Sequence, residues 1–141
     1  MNLVDALLGT PEQKTYEFGG KKIVFRTLKQ SEMNSIMMSI GRADVTMLEL
    51  EKIPVLARCI ISIDGIPLEM FEEVREAIKE NEKIDIPTAI EKILAKMDTN
   101  TVGILYGIYI QFREECYLKK EQLKNSSANP SAGTSTASVK I

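Results

Sequence analysis

The chain has 141 residues, 44% of them hydrophobic and 27% charged, a globular balance that fits one compact domain without disulfides or a structural metal. Histidine is absent, which excludes Ser–His and Cys–His nucleophilic pairs and the zinc sites that contain histidine. The net charge of −2 is divided unevenly: residues 1–43 carry six basic against four acidic side chains, residues 44–98 seven against thirteen, and residues 99–141 five against three. An acidic centre between mildly basic ends offers no strong cationic face for nucleic acid.

In chain order, residues 2–8 predict a short helix stopped by Gly9 and Pro11. Thr15–Phe18 and Lys22–Arg26 then flank Gly19 and Gly20, a pair able to supply positive φ in a tight turn, so a β-hairpin is expected over 15–26. Tyr16, Phe18, Ile23 and Phe25 alternate with polar neighbours and give it one apolar face. A helix is expected from about Leu28, with Ile36, Met37 and Ile40 at helical spacing and Gly41 closing it. Asp44 or Thr46 is the expected cap of the next segment, which Pro54 should kink or restart. Val55–Ile63 is apolar except at Arg58 and Ser62 and reads as a central buried helix.

Asp64-Gly65-Ile66-Pro67 is a turn. An acidic helix is expected over 69–82, with Met70, Phe71, Val74 and Ile78 on its apolar face. Pro87 suits the first turn of the following helix. Asp98, Thr99, Asn100 and Thr101 offer N-caps for a last helix of about 25 residues, Thr101–Asn125. From Ser126 the chain is rich in Ser, Thr and Ala and has no large apolar residue before Val139, so a flexible tail is expected over 126–141. The fold class is therefore mainly α (α+β): five to six helices and one N-terminal hairpin in a single domain over 1–125.

Cys59 and Cys116 lie in apolar stretches and read as buried free thiols. The N-terminus lacks the basic start and apolar run of a signal peptide. The longest apolar run, Val102–Ile110, is about half of a bilayer span. A soluble chain of a reducing compartment, without membrane contact, is expected. No residue pattern indicates catalysis, a metal or a cofactor. Glu69, Glu72, Glu73, Glu76 and Glu80 have the spacing of an exposed helix face and could dock a basic partner. Met33, Met38 and Met47 are a candidate partner groove, because methionine is flexible and polarizable. Val139 and Ile141 form an apolar tip that could also dock. Gly103 and Gly107, four apart in an apolar helix, suggest close approach of another helix within the domain. On that reading Gly107→Leu should destabilise the chain by about 1–3 kcal/mol through overpacking.

A hairpin ending Lys22-Ile23-Val24-Phe25-Arg26-Thr27-Leu28-Lys29-Gln30-Ser31-Glu32 runs straight into a helix. An apolar segment follows, ending Ile63-Asp64-Gly65-Ile66-Pro67-Leu68, and then a long helix ends Leu123-Lys124-Asn125 before a polar tail. Over residues 15–125 this order, with its strand-Arg-x-Leu-x-x-x-Glu pattern, resembles the tail assembly chaperones and related baseplate-hub assembly proteins of tailed bacteriophages. The resemblance implies a non-enzymatic protein that binds tape measure and tail tube proteins in the host cytoplasm. The alternative it leaves open is a permanent subunit of the virion tail or baseplate hub. It supplies no catalytic residues. A homo-oligomer is compatible with both roles, and a small DNA-binding regulator is a weaker third reading. Since residues 126–138 offer nothing to a core, removing 126–141 is expected to leave the melting temperature nearly unchanged; a fall of several degrees would show that this segment packs.

Overall fold

The computed structural model describes residues 2–41 and 47–128, with side chains at 2–41 and 49–124. Contacts divide the chain into two compact units, Met1–Tyr109 and Ile110–Ile141. The described residues form α1 (Leu3–Ala6), β1 (Gln13–Phe18), β2 (Lys21–Arg26), α2 (Gln30–Ile40), α3 (Met47–Cys59), β3 (Ile60–Ile63), β4 (Ile66–Pro67), α4 (Glu72–Glu80), α5 (Ile86–Leu94) and α6 (Thr99–Ala128). A 3-10 turn, Leu68–Met70, precedes α4. Six helices around one small sheet make this the mainly α (α+β) chain expected.

The hairpin β1–β2 forms where the two glycines require it. Phe18 pairs with Lys21, so Gly19 and Gly20 are the whole turn, with φ of 60° and 77°. Positive φ at both positions matches the right-handed twist of the strands, and only glycine takes it without steric cost. Ile23 and Phe25 are buried, and the Tyr16 ring meets Phe25 edge-on with centroids 5.7 Å apart. That is the apolar face the alternation implied.

The segment Val55–Ile63 departs from expectation. α3 stops at Cys59, and Ile60–Ile63 becomes β3, antiparallel to β2. Three isoleucines in four residues favour a pleated strand, and a continuous apolar run cannot by itself distinguish strand from helix. The register slips between Val24 and Phe25, so that Ser62 faces Val24 while Ile60 faces Phe25, leaving Ile61 as the extra residue of a bulge. Ile63 pairs with Ile66, which makes Asp64 (φ 50°) and Gly65 (φ 82°) a second two-residue turn. The Asp64 carboxylate accepts from the Lys22 N–H at 2.8 Å, which holds that carboxyl below its usual range.

Pro54 lies inside α3 and does not restart the helix. Its carbonyl accepts from Arg58, whose guanidinium also pairs with Glu91 of α5 at 2.7 Å. α3 packs on α2 and α5, and α5 on α4. Among the described residues, the largest side chains fully removed from solvent are Phe25 of β2, Ile36 of α2, and Val55, Leu56 and Cys59 of α3. Met37 and Ile40, expected in the core, are only half-buried. Asp85 caps α5 through the Thr88 N–H at 2.9 Å with Pro87 in the first turn, and Asp98 caps α6 through the Thr101 N–H at 3.0 Å. α6 continues through residues 126–128, past the expected end at Asn125; the rest of the expected flexible tail lies outside the described residues, as does the cap expected at Asp44 or Thr46.

One ion pair joins the sheet to the helices. Arg26, at the end of β2, grips Glu32 of α2 with both nitrogens, at 2.8 and 2.6 Å. The same carboxylate accepts from the Lys29 N–H at 2.8 Å and so closes the first turn of α2. Both side chains are about one-fifth exposed. The Arg26 hydrogen bonds hold the Glu32 carboxyl below its ordinary value of 4.5, and Glu32 in turn raises Arg26.

Arg26→Ala is expected to cost about 1–3 kcal/mol, since it removes two charge-assisted hydrogen bonds and leaves a half-buried carboxylate behind. Because the folded-state pKa of Glu32 is depressed, its stabilisation is complete above its ordinary value of 4.5 and is lost as pH falls through the folded-state value. Urea denaturation across that range should show a shallower acid loss in Arg26→Ala than in the parent. Equal slopes would remove the pair from the stability account.

Candidate functional site

Among the described residues, exposed aliphatic side chains concentrate on α1 and the two residues after it, where Leu3 is 74% exposed, Val4 53%, Leu7 73% and Leu8 57%. Isolated helices this short are unstable in water, so the caps matter. The Asn2 carboxamide accepts from the Asp5 N–H at 2.8 Å, and Asp5 also accepts from the Thr10 hydroxyl. At the other end the Leu8 N–H donates to Asp5 and the Gly9 N–H to Val4, the double closure of a Schellman motif. The residue this motif places in the left-handed region is normally glycine, but here it is Leu8, with φ 57°. A leucine there costs about 1–2 kcal/mol, and such strain recurs where local structure serves binding. Sequence reasoning marked residues 2–8 only as a short helix. The missed signal was four large aliphatics within seven residues.

A second surface is acidic. Glu69, Glu72, Glu73, Glu76 and Glu80 are all exposed, and none joins an ion pair among the described residues. The expected face is corrected in one respect: Met70 and Phe71 precede α4, and Met70 is 55% exposed. Val74 is buried and Ile78 half-buried. At about 100° per residue, Glu73, Glu76 and Glu80 fall within about 60° of one another on α4, with Lys79 about 60° and Arg75 about 100° from Glu76.

Among the described residues, Met33 and Met38 do not share a face of α2. Met33 is half-buried and Met38 82% exposed; five residues apart on one continuous helix, they point about 140° from each other. Met47 begins α3, and its side chain lies outside the described residues, as do Val139 and Ile141.

In α6, Leu105, Tyr106 and Tyr109 are buried in the first unit, and the Tyr106 hydroxyl donates to Glu51 of α3 at 3.2 Å. In the second unit Phe112 and Cys116 are buried, whereas Tyr117 is 60% exposed. Gly103 and Gly107 also depart from expectation: a Cβ at either would meet nothing within 4 Å, and Ile104 between them is 53% exposed. No helix lies close against this face among the described residues.

Both cysteines are free and buried, and burial pushes the Cys59 thiol well above its usual range, which makes it a poor nucleophile. No described group of three acidic or cysteine side chains has the geometry to hold a metal ion, and no helix among the described residues is long and apolar enough to cross a membrane. What these surfaces offer chemically is exposed apolar area and exposed charge. No family model, curated protein or solved structure matches the chain.

With open space around Gly107, overpacking no longer applies. Gly107→Ala is expected to stabilise the chain by about 0.5–1 kcal/mol, the difference in helix propensity, and Gly107→Leu to cause no large loss. A drop in melting temperature for both would mean that another surface already occupies this face.

Proposed function

We propose that this chain is a non-enzymatic tail assembly protein of a tailed bacteriophage, a chaperone that holds the tape measure protein soluble and helps bring tail tube subunits to it. The observation that carries the chaperone role is the exposed aliphatic segment Leu3, Val4, Leu7 and Leu8, held in a strained, fully capped turn. An exposed apolar patch of this kind marks a protein-binding site, and a long helical client with its own apolar stripes is a suitable occupant. The family is suggested by the element order and by the Arg26-Thr27-Leu28-Lys29-Gln30-Ser31-Glu32 pattern, whose two charged ends make the ion pair between β2 and α2. On this reading the protein works in the host cytoplasm.

Co-expression with the tape measure protein of the parent phage is expected to keep that client in the soluble fraction. Leu3→Ser/Leu7→Ser should abolish this effect and leave the melting temperature within a degree or two, since both side chains are already exposed. Mass spectrometry of purified particles discriminates the alternative. A chaperone is abundant in the lysate and absent from the particle; a stoichiometric amount in particles would make this chain a permanent tail or baseplate subunit instead.

A further inference from the structure

The chain carries two exposed helical ridges of opposite charge. On α4 the ridge is Glu73, Glu76 and Glu80, preceded by the exposed Met70. On α6 the ridge is Arg113, Tyr117, Lys120 and Lys124, at i, i+4, i+7 and i+11, with Leu123 beside them. All five of these α6 residues are exposed, Tyr117 at 60% and Leu123 at 48%. Their angular positions fall within about 120° of arc, and Glu114 and Glu115 lie outside it. Glu121 borders the ridge and pairs with Lys124 in an exposed i, i+3 contact, which contributes little and exchanges readily.

Two features make the ridges a match. Glu73 and Glu80 are separated by the same seven residues as Arg113 and Lys120, about 10 Å along either helix, so opposite charges fall in step when the helices lie side by side. The apolar seam of α6 also outruns its burial: Leu105, Phe112 and then Tyr109, Cys116 and Leu123 recur at intervals of seven, and only Leu123 is exposed. A heptad seam that continues into solvent between lysines has the composition of a helix–helix contact with an acidic partner.

We propose that the protein associates with itself head to tail, the cationic end of α6 in one copy seated on the acidic ridge of α4 in the next. Two different surfaces meet, so the interface is heterologous and each copy keeps one free end of each sign; repetition closes into a ring or extends as a chain. The inference rests on these two surfaces alone, and its failure would leave the tail-assembly reading standing.

The test uses purified full-length protein and two charge-reversal variants, Glu73→Lys/Glu80→Lys and Arg113→Glu/Lys120→Glu, all at exposed positions. Sedimentation velocity at low ionic strength should show the parent as concentration-dependent oligomers that dissociate at high salt, and each variant alone as a monomer. Each variant carries two ridges of one sign, so an equimolar mixture restores opposite charges at both contacts and should give hetero-oligomers containing the two variants in equal numbers by native mass spectrometry. A parent that stays monomeric at low salt, oligomers indifferent to both reversals, or a mixture that remains monomeric would overturn the proposal.

Discussion

The grip of Arg26 on Glu32 is the constraint on which the first unit depends. Arg26 is the last residue of the hairpin and Glu32 lies in the first turn of the first long helix, with a three-residue connection between their elements. Two guanidinium hydrogen bonds fix the direction of that connection, and the third bond of the carboxylate, to Lys29, fixes where the helix starts. Ile36 then enters the core where Phe25 already lies, and α3 supplies Val55, Leu56 and Cys59 to the same interior. A half-buried pair of this kind adds only modestly to stability, because desolvation offsets much of its Coulomb energy. Its larger contribution is geometric, since a planar fork accepts a carboxylate in one orientation.

The same logic explains which parts of the fold were legible in the sequence. Turns with a steric cause were read correctly: Gly19 and Gly20 are the whole of one hairpin turn, and Asp64 and Gly65 are the whole of another. Helix starts were readable too, where Pro87 suits a first turn and where Asp98 is one of four cap candidates. What failed was the apolar run 55–63, where local composition permits helix or strand. There the decision is tertiary: the exposed edge of β2 needs a partner for its backbone groups, and Ile60–Ile63 supplies it. Nothing in the periodicity of a continuous apolar segment encodes that demand.

Functional surfaces were less legible than the fold, for a related reason. Burial is cooperative, so a residue's exposure depends on what other elements fail to cover. Gly103 and Gly107 carry the spacing of a packed helix pair, yet among the described residues nothing lies within 4 Å of where a Cβ would stand. Met33 and Met38 are near in sequence but diverge around α2 by about 140°. The acidic residues of α4 were identified correctly as an exposed face, because charge patterning reports solvent directly. The α1 aliphatics were overlooked because a short apolar helix normally docks; only Leu8 in a left-handed conformation distinguishes this one.

Charge and apolar exposure are separated along the chain in a way that a single folded copy does not use. Aliphatics crowd α1, acids crowd α4, and cations gather towards the end of α6. A monomer selected for solubility alone gains by mixing charge signs and dispersing apolar side chains. Segregating them costs solubility and, at Leu8, backbone strain, so the arrangement has a physical rationale only where other surfaces complete it. An aliphatic segment and two charged ridges are different chemistries and suit different occupants: the first suits an apolar surface, the second a surface of matching charge register. A protein that holds an aggregation-prone client while recruiting further subunits requires both kinds of contact at once, on surfaces that do not compete.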